Sequence, residues 1–290
     1  MTVERNHVVL LSIYALSLAG VAYLLYEGRS YYLTPLIERP RHPDYWALKP
    51  GGTRGYWIGV VGTALMVVMH VYSLRRRARP LRRLGPLRAW LDFHIWCGIV
   101  GPLLIVLHSS FKVHGLVALS FWSMVAVSLS GVLGRYLYLQ IPRRRSGDEL
   151  SLAEAEEVDR AMTARLSDDF GLSETDLARL DGVVTERVDE QSNLVGLLLR
   201  FPFQGVKLRW KLGRFARTVN LPKGAPLKSF LTVARQKALI ERRIRTWQKL
   251  QQLFHYWHVF HKPFAIVMYL FLVVHVVVVM MTGYGWGPER

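Results

Sequence analysis

The chain has 290 residues, 51% of them hydrophobic, yet it carries 38 Lys and Arg against 21 Asp and Glu. A single soluble domain rarely combines the two, so apolar and charged residues must occupy separate stretches. The one cysteine, Cys97, excludes a disulfide framework, a thiolate-held iron–sulfur cluster and covalent c-type haem attachment, so any cofactor must be held by other ligands.

Apolar runs at about 8–26, 56–74, 93–111, 115–139 and 259–282 are each near or above the roughly 20 residues needed to cross a bilayer as a helix. The fold class expected is therefore an all-α membrane protein, a five-span transmembrane helical bundle. The first run follows Arg5 as a signal peptide would, but it is long and ends in Tyr23-Leu24-Leu25-Tyr26 rather than in a small-residue cleavage site, which favours a retained anchor. After the second run comes LRRRARPLRRLGPLR, with seven arginines and no acid, and Arg143 to Arg145 follow the fourth. Basic residues at span ends mark the cytoplasmic side. The mixed-charge loop from Glu27 to Gly55 and the turn around Lys112 and His114 then face outward, with the N-terminus inside and the C-terminal GYGWGPER outside.

Three regions follow: residues 1–140 as spans one to four, 141–253 as a cytoplasmic, mainly helical insert, and 254–290 as the fifth span and an external tail. The insert divides by charge. From Asp148 to Glu190 there are 14 acids and four arginines, and from Arg200 to Lys249 there are 14 basic residues and one acid, Glu241. Ser151-x-x-Glu154 and Ser173-x-x-Asp176 are helix-start signatures. GVKLRWKLGRFARTV, from Gly205 to Val219, alternates enough to suggest a short hairpin, and a long helix is expected from about 226 to 254. The basic run suits anionic membrane lipids better than nucleic acid, because the polybasic stretches fall where the membrane rule puts them. The insert shows no Gly-rich phosphate loop.

Two spans carry paired histidines. His94 and His108 are 14 residues apart, and so are His261 and His275. Fourteen residues at 100° each fall only about 40° short of four turns, so both members of a pair share one face, about 21 Å apart along the axis. The third and fifth spans run in the same direction, which sets His94 level with His261 and His108 level with His275. Imidazoles facing each other across a flat macrocycle are the usual ligands of a six-coordinate b-type haem, so four histidines at these levels suggest two haem b groups, one per leaflet. A lone histidine in a span is more often a hydrogen-bonded helix contact, and the equal spacing is what argues for ligation.

Gly101, midway between His94 and His108, and Gly98 would let backbone approach a porphyrin edge, though glycine is also common at plain helix contacts. Met268, the midpoint of the other pair, is a soft side chain suited to a gap between two rings. Arg135 could pair with haem propionates or simply mark the inner end of its span. His70, His255 and His258 lie at the inner level as propionate partners, a quinone site or substitute ligands. His258, one turn from His261, could reach the same iron. His114 lies near the outer level, where a soluble acceptor could dock, but as a loop histidine it is also consistent with a solvated residue.

On His94, His108, His261 and His275 the chain resembles the membrane cytochromes b with two bis-histidine haems. The particular resemblance is to the ferric-reductase-like transmembrane domain of metalloreductases and NADPH oxidases, in which the third and fifth helices supply the ligands. The resemblance covers roughly the second to fifth spans, and is one of architecture and spacing. It implies electron transfer across a membrane. Those reductases add a flavin- and NADPH-binding module after a sixth span, whereas here no dinucleotide fingerprint is found, so the donor is expected to be a quinol or a docked protein. The expectation is thus a dihaem cytochrome b of a bacterial-type inner membrane, one subunit of an oxidoreductase. Its expected partners are membrane lipids, quinone and further redox subunits such as an external c-type cytochrome or iron–sulfur protein, with no nucleic acid. The alternatives are a histidine-containing transporter or haem-handling protein, and a membrane anchor that recruits a soluble partner.

Overall fold

The computed structural model describes residues 2–140, 151–184, 208–219, 226–245, 247–282 and 287. Among these there is no strand. The chain divides into two units, Met1–Arg135 with Trp257–Arg290, and Tyr136–Tyr256.

The first unit begins with α1 (Thr2–Glu27), followed by short helices α2 (Arg29–Leu33) and α3 (Tyr45–Leu48). Helix α4 (Thr53–Val68) leads through a break at Met69-His70 into α5 (Val71–Arg77), and α6 (Leu87–His108) and α7 (Leu116–Gln140) follow. The last helix, α12 (Trp247–Met281), is 35 residues long. Among the described residues, five segments are long and apolar enough to cross a membrane: Val8–Glu27, Tyr45–Arg77, Leu87–His108, Val117–Leu139 and Trp247–Met281. They coincide with the five apolar runs. From Phe264 onward the exposed side chains of α12, among them Ile266, Leu270, Val273 and Val277, are apolar, as a lipid-facing surface requires.

Small residues decide the packing of α6. Gly55, Gly59, Gly62 and Met66 recur at helical spacing and form the buried face of α4, which lies against α6. Gly101 lies on this seam too: a Cβ there would press on Met66 Cγ and the Gly62 carbonyl. The porphyrin edge that the sequence suggested for Gly101 is thus replaced by α4, because two glycines let the backbones meet. Beyond α4, α6 packs closely on α1 and α5; α12 is not among its close neighbours.

The loop after α1 covers the far end of α6. Arg39, only 4% exposed, donates to the carbonyls of Thr34 (2.9 Å), Tyr32 (2.7 Å) and Ser110, and the Ser110 hydroxyl donates to the Leu48 carbonyl at 2.8 Å. Ser110 and Phe111 take positive φ values of 47° and 59°, a conformation side chains seldom adopt, as the chain turns away from α6.

In the second unit α8 (Leu152–Phe170) and α9 (Glu174–Val184) pack on α11 (Leu227–Arg245). Both expected helix starts occur: Ser151 and Glu154 form a reciprocal capping box, and the Ser173 hydroxyl accepts from the Asp176 amide at 3.2 Å. Residues 208–215 form a helix, α10, in place of the expected hairpin. Leu208, Leu212 and Phe215 stand at helical spacing and dock against Leu166, Leu180 and Phe230. Burying each large apolar side chain contributes about 2 kcal/mol, which overrides a weak alternating pattern. The stretch expected as one helix over 226–254 is helical over Leu227–Arg245 and again from Trp247, with residue 246 outside the described residues. The arginines at 143 to 145 and most of the C-terminal tail lie outside the described residues.

Candidate functional site

The four spaced histidines all belong to the first unit. His94 and His108 stand near the two ends of α6, and His261 and His275 on α12. His94 is within electrostatic range of His261 and of His70, and His108 of His275. Each tier combines one imidazole from α6 with one from α12.

The imidazoles are held by their Nδ1 atoms. His94 Nδ1 lies 3.1 Å from the Met69 carbonyl and His108 Nδ1 lies 2.9 Å from the Gly55 carbonyl. A carbonyl only accepts, so in both rings Nδ1 carries the proton and Nε2 keeps its lone pair. His261 Nδ1 lies 2.7 Å from the Ser130 hydroxyl, which is also 2.9 Å from the Val127 carbonyl, so the serine ties this ring to α7. His94 and His108 have the arrangement usual in metal-ligating histidines, with one nitrogen anchored to an acceptor and the other bare.

Local backbone makes the anchors available. Met69 follows the last residue of α4, where a helix end leaves carbonyls short of partners, and its oxygen receives only a long bond from the Tyr72 amide at 3.3 Å. Gly55 and Met69 are themselves 14 residues apart, so antiparallel α4 presents one carbonyl to each histidine of α6. Glycines clear the space: a Cβ at Gly59 would overlap the His108 ring, and one at Gly134 would strike the Trp257 ring. Trp257 in turn lies 4.9 Å from the His261 ring and donates to the Ser130 carbonyl at 2.6 Å.

Comparisons with known families, with curated proteins and with solved structures find no match. The functional reading therefore rests on residues alone.

The remaining candidates fall out unevenly. Met268, 1% exposed, packs with Met66 and Met124, so three helices contribute thioethers between the two tiers. Gly98 has only Met69 Sδ nearby, 3.9 Å from where a Cβ would stand. Arg135 forms an ion pair with Asp92 (2.7 Å), a carboxylate the sequence reading passed over. The pair matches its charge within the protein. Asp92 is 7% exposed, and its carbonyl accepts from the Tyr14 hydroxyl.

His70 follows the carbonyl that holds His94, and its ring lies 4.5 Å from that of Tyr269. His258 sits against the Trp257 ring at 4.6 Å and within electrostatic range of His261. His255 is exposed and belongs to the second unit, and His114 is exposed in the turn between α6 and α7. Ser130, Gly55, Gly59 and Met69 were missed. The stripe Gly55, Gly59, Gly62 was a legible sign of close helix approach, and Ser130 beside Gly131 and Gly134 marked the facing surface of α7.

Proposed function

We propose that the protein is a membrane dihaem cytochrome b that relays electrons between the two faces of a bilayer, with His94 and His261 holding one haem and His108 and His275 the other. The observation that carries this reading is the shared state of His94 and His108, each with Nδ1 donating to a main-chain carbonyl and Nε2 left as a ligand. Haem supplies reversible one-electron chemistry when bound; the protein supplies ligation, burial and the polarity around the rings.

Three further features support it. The donor set at each tier is two neutral imidazoles without a carboxylate, which suits haem iron over a hard cation. The tiers lie about 21 Å apart along α6, one toward each end of a span. And α6 packs on α1, α4 and α5 while α12 is not among its close neighbours, which is compatible with a flat group held by imidazoles from α6 and α12. A proton relay fits less well. A relaying imidazole passes protons through both nitrogens, whereas a ring bonded to a carbonyl has no acceptor that can return one.

With the arginine-rich loop after α5 on the cytoplasmic side, the His94 tier is the inner one and the His108 tier the outer, in a bacterial-type inner membrane. The donor is a bilayer quinol or a cytoplasmic protein, and the acceptor an external redox partner.

A reduced-minus-oxidised spectrum of the purified protein tests the proposal, with about two b-type haems per chain expected from the ligand count. His94→Ala and His108→Ala should each remove one haem and spare the other. A colourless protein, or haem content unchanged in both variants, would overturn it.

A further inference from the structure

The second unit carries a surface that electron transfer does not explain. Helix α10 is fastened to the unit's core by Leu208, Leu212 and Phe215, which fixes what its other side presents. That side presents Arg209, Trp210 and Arg214, with Arg217 in the turn that follows, all exposed. Trp210 is 63% exposed, and the Arg214 guanidinium lies over its indole, 4.5 Å from the ring centroid. No acid occurs anywhere between Arg200 and Glu241. The exposed acids of this unit, Glu156, Glu157, Asp168, Asp169 and Glu174, lie on α8 and α9 among the described residues.

We propose that this face of α10 docks on the anionic phospholipid headgroups of the bilayer. An indole left in water has no use for its apolar area, whereas at the boundary between headgroups and acyl chains it is in its preferred medium. Guanidinium groups bind phosphate oxygens in a fork and stay cationic at any working pH. The occupant is a bilayer because the chain enters the unit from span α7 and leaves it through α12, so membrane is present at high effective concentration. A sheet of anionic headgroups complements a cationic face and repels the acids of α8 and α9, which gives the unit a preferred side.

The test uses the full chain with Trp210→Cys, labelled with an environment-sensitive fluorophore; Cys97 is fully buried and does not compete for the label. In vesicles containing phosphatidylglycerol the label should shift to the blue and be quenched by nitroxides on lipid headgroups. Both signals should be lost in pure phosphatidylcholine, at high salt, and in a triple variant with Arg209, Arg214 and Arg217 all changed to Glu. Changing the same three to Lys should restore them, separating lost charge from lost fold. Absence of quenching in either lipid, quenching that ignores charge reversal, or a blue shift produced only by an added acidic protein or nucleic acid would each overturn the proposal.

Discussion

His261 Nδ1 and the Ser130 hydroxyl, 2.7 Å apart, join α12 to α7 by a hydrogen bond. Ser130→Ala removes this partner and frees the ring to turn. Loss of such a supporting partner commonly weakens metal binding by about tenfold or more. The expected result is faster haem loss from the His94–His261 tier alone, read as haem per chain after a challenge with free imidazole. Ser130→Thr, which keeps the hydroxyl, should retain most of the haem.

Gly59→Ala should act on the other tier. Its methyl group would occupy the space of the His108 ring, forcing the imidazole off the Gly55 carbonyl. One of the two haem signals should fall, with the His94 tier intact. Gly20→Ala, where a Cβ meets nothing within 4 Å, serves as the control and should change neither. Equal loss in both tiers would place the glycine's role in general packing.

Replacing Arg39 by Met should destabilise the end of the bundle where α6 stops. Three carbonyls, those of Tyr32, Thr34 and Ser110, lose a charged donor in a buried setting. The cost should be about 3 kcal/mol, seen as a lower melting temperature in detergent. Arg39→Lys should recover only part of it, because an ammonium cannot present the forked set of donors.

The second unit should respond to pH through Lys237, which is 3% exposed and pairs with Asp181 at 2.7 Å, Glu241 at 3.3 Å and Asp159 at 3.8 Å. Burial pulls the lysine down, but these carboxylates outweigh it and hold its pKa above the ordinary 10.5. Its contribution is therefore complete below about pH 10.5 and lost as pH rises through the folded-state value. Burial raises Asp159 above 3.8, only partly offset by Lys237, so in the folded state it holds its proton more tightly and its contribution declines as pH climbs past 3.8. The urea midpoint of this unit in the intact protein should fall on the alkaline side. In Lys237→Met, with three carboxylates left facing one another, it should drop at neutral pH and recover on acidification.

The five apolar helices were readable because hydrophobic length is a property of the chain itself. Helix α10 was not. Leu208, Leu212 and Phe215 fit both a loose alternation and a helical face, and only the core they join decides between them. The ring anchors were hidden for a different reason. The partners of His94 and His108 are main-chain oxygens, which every residue possesses, so no residue type marks Met69 or Gly55. Asp92 was overlooked as a stray charge at a span end, and it is Arg135 that gives it meaning.

Because Gly55 and Met69 belong to one rod, the two imidazoles of α6 are steered by a common rudder. A slide or twist of α4 would turn both rings together, so a disturbance at one end of the molecule would be felt at the other without any change in α6 itself.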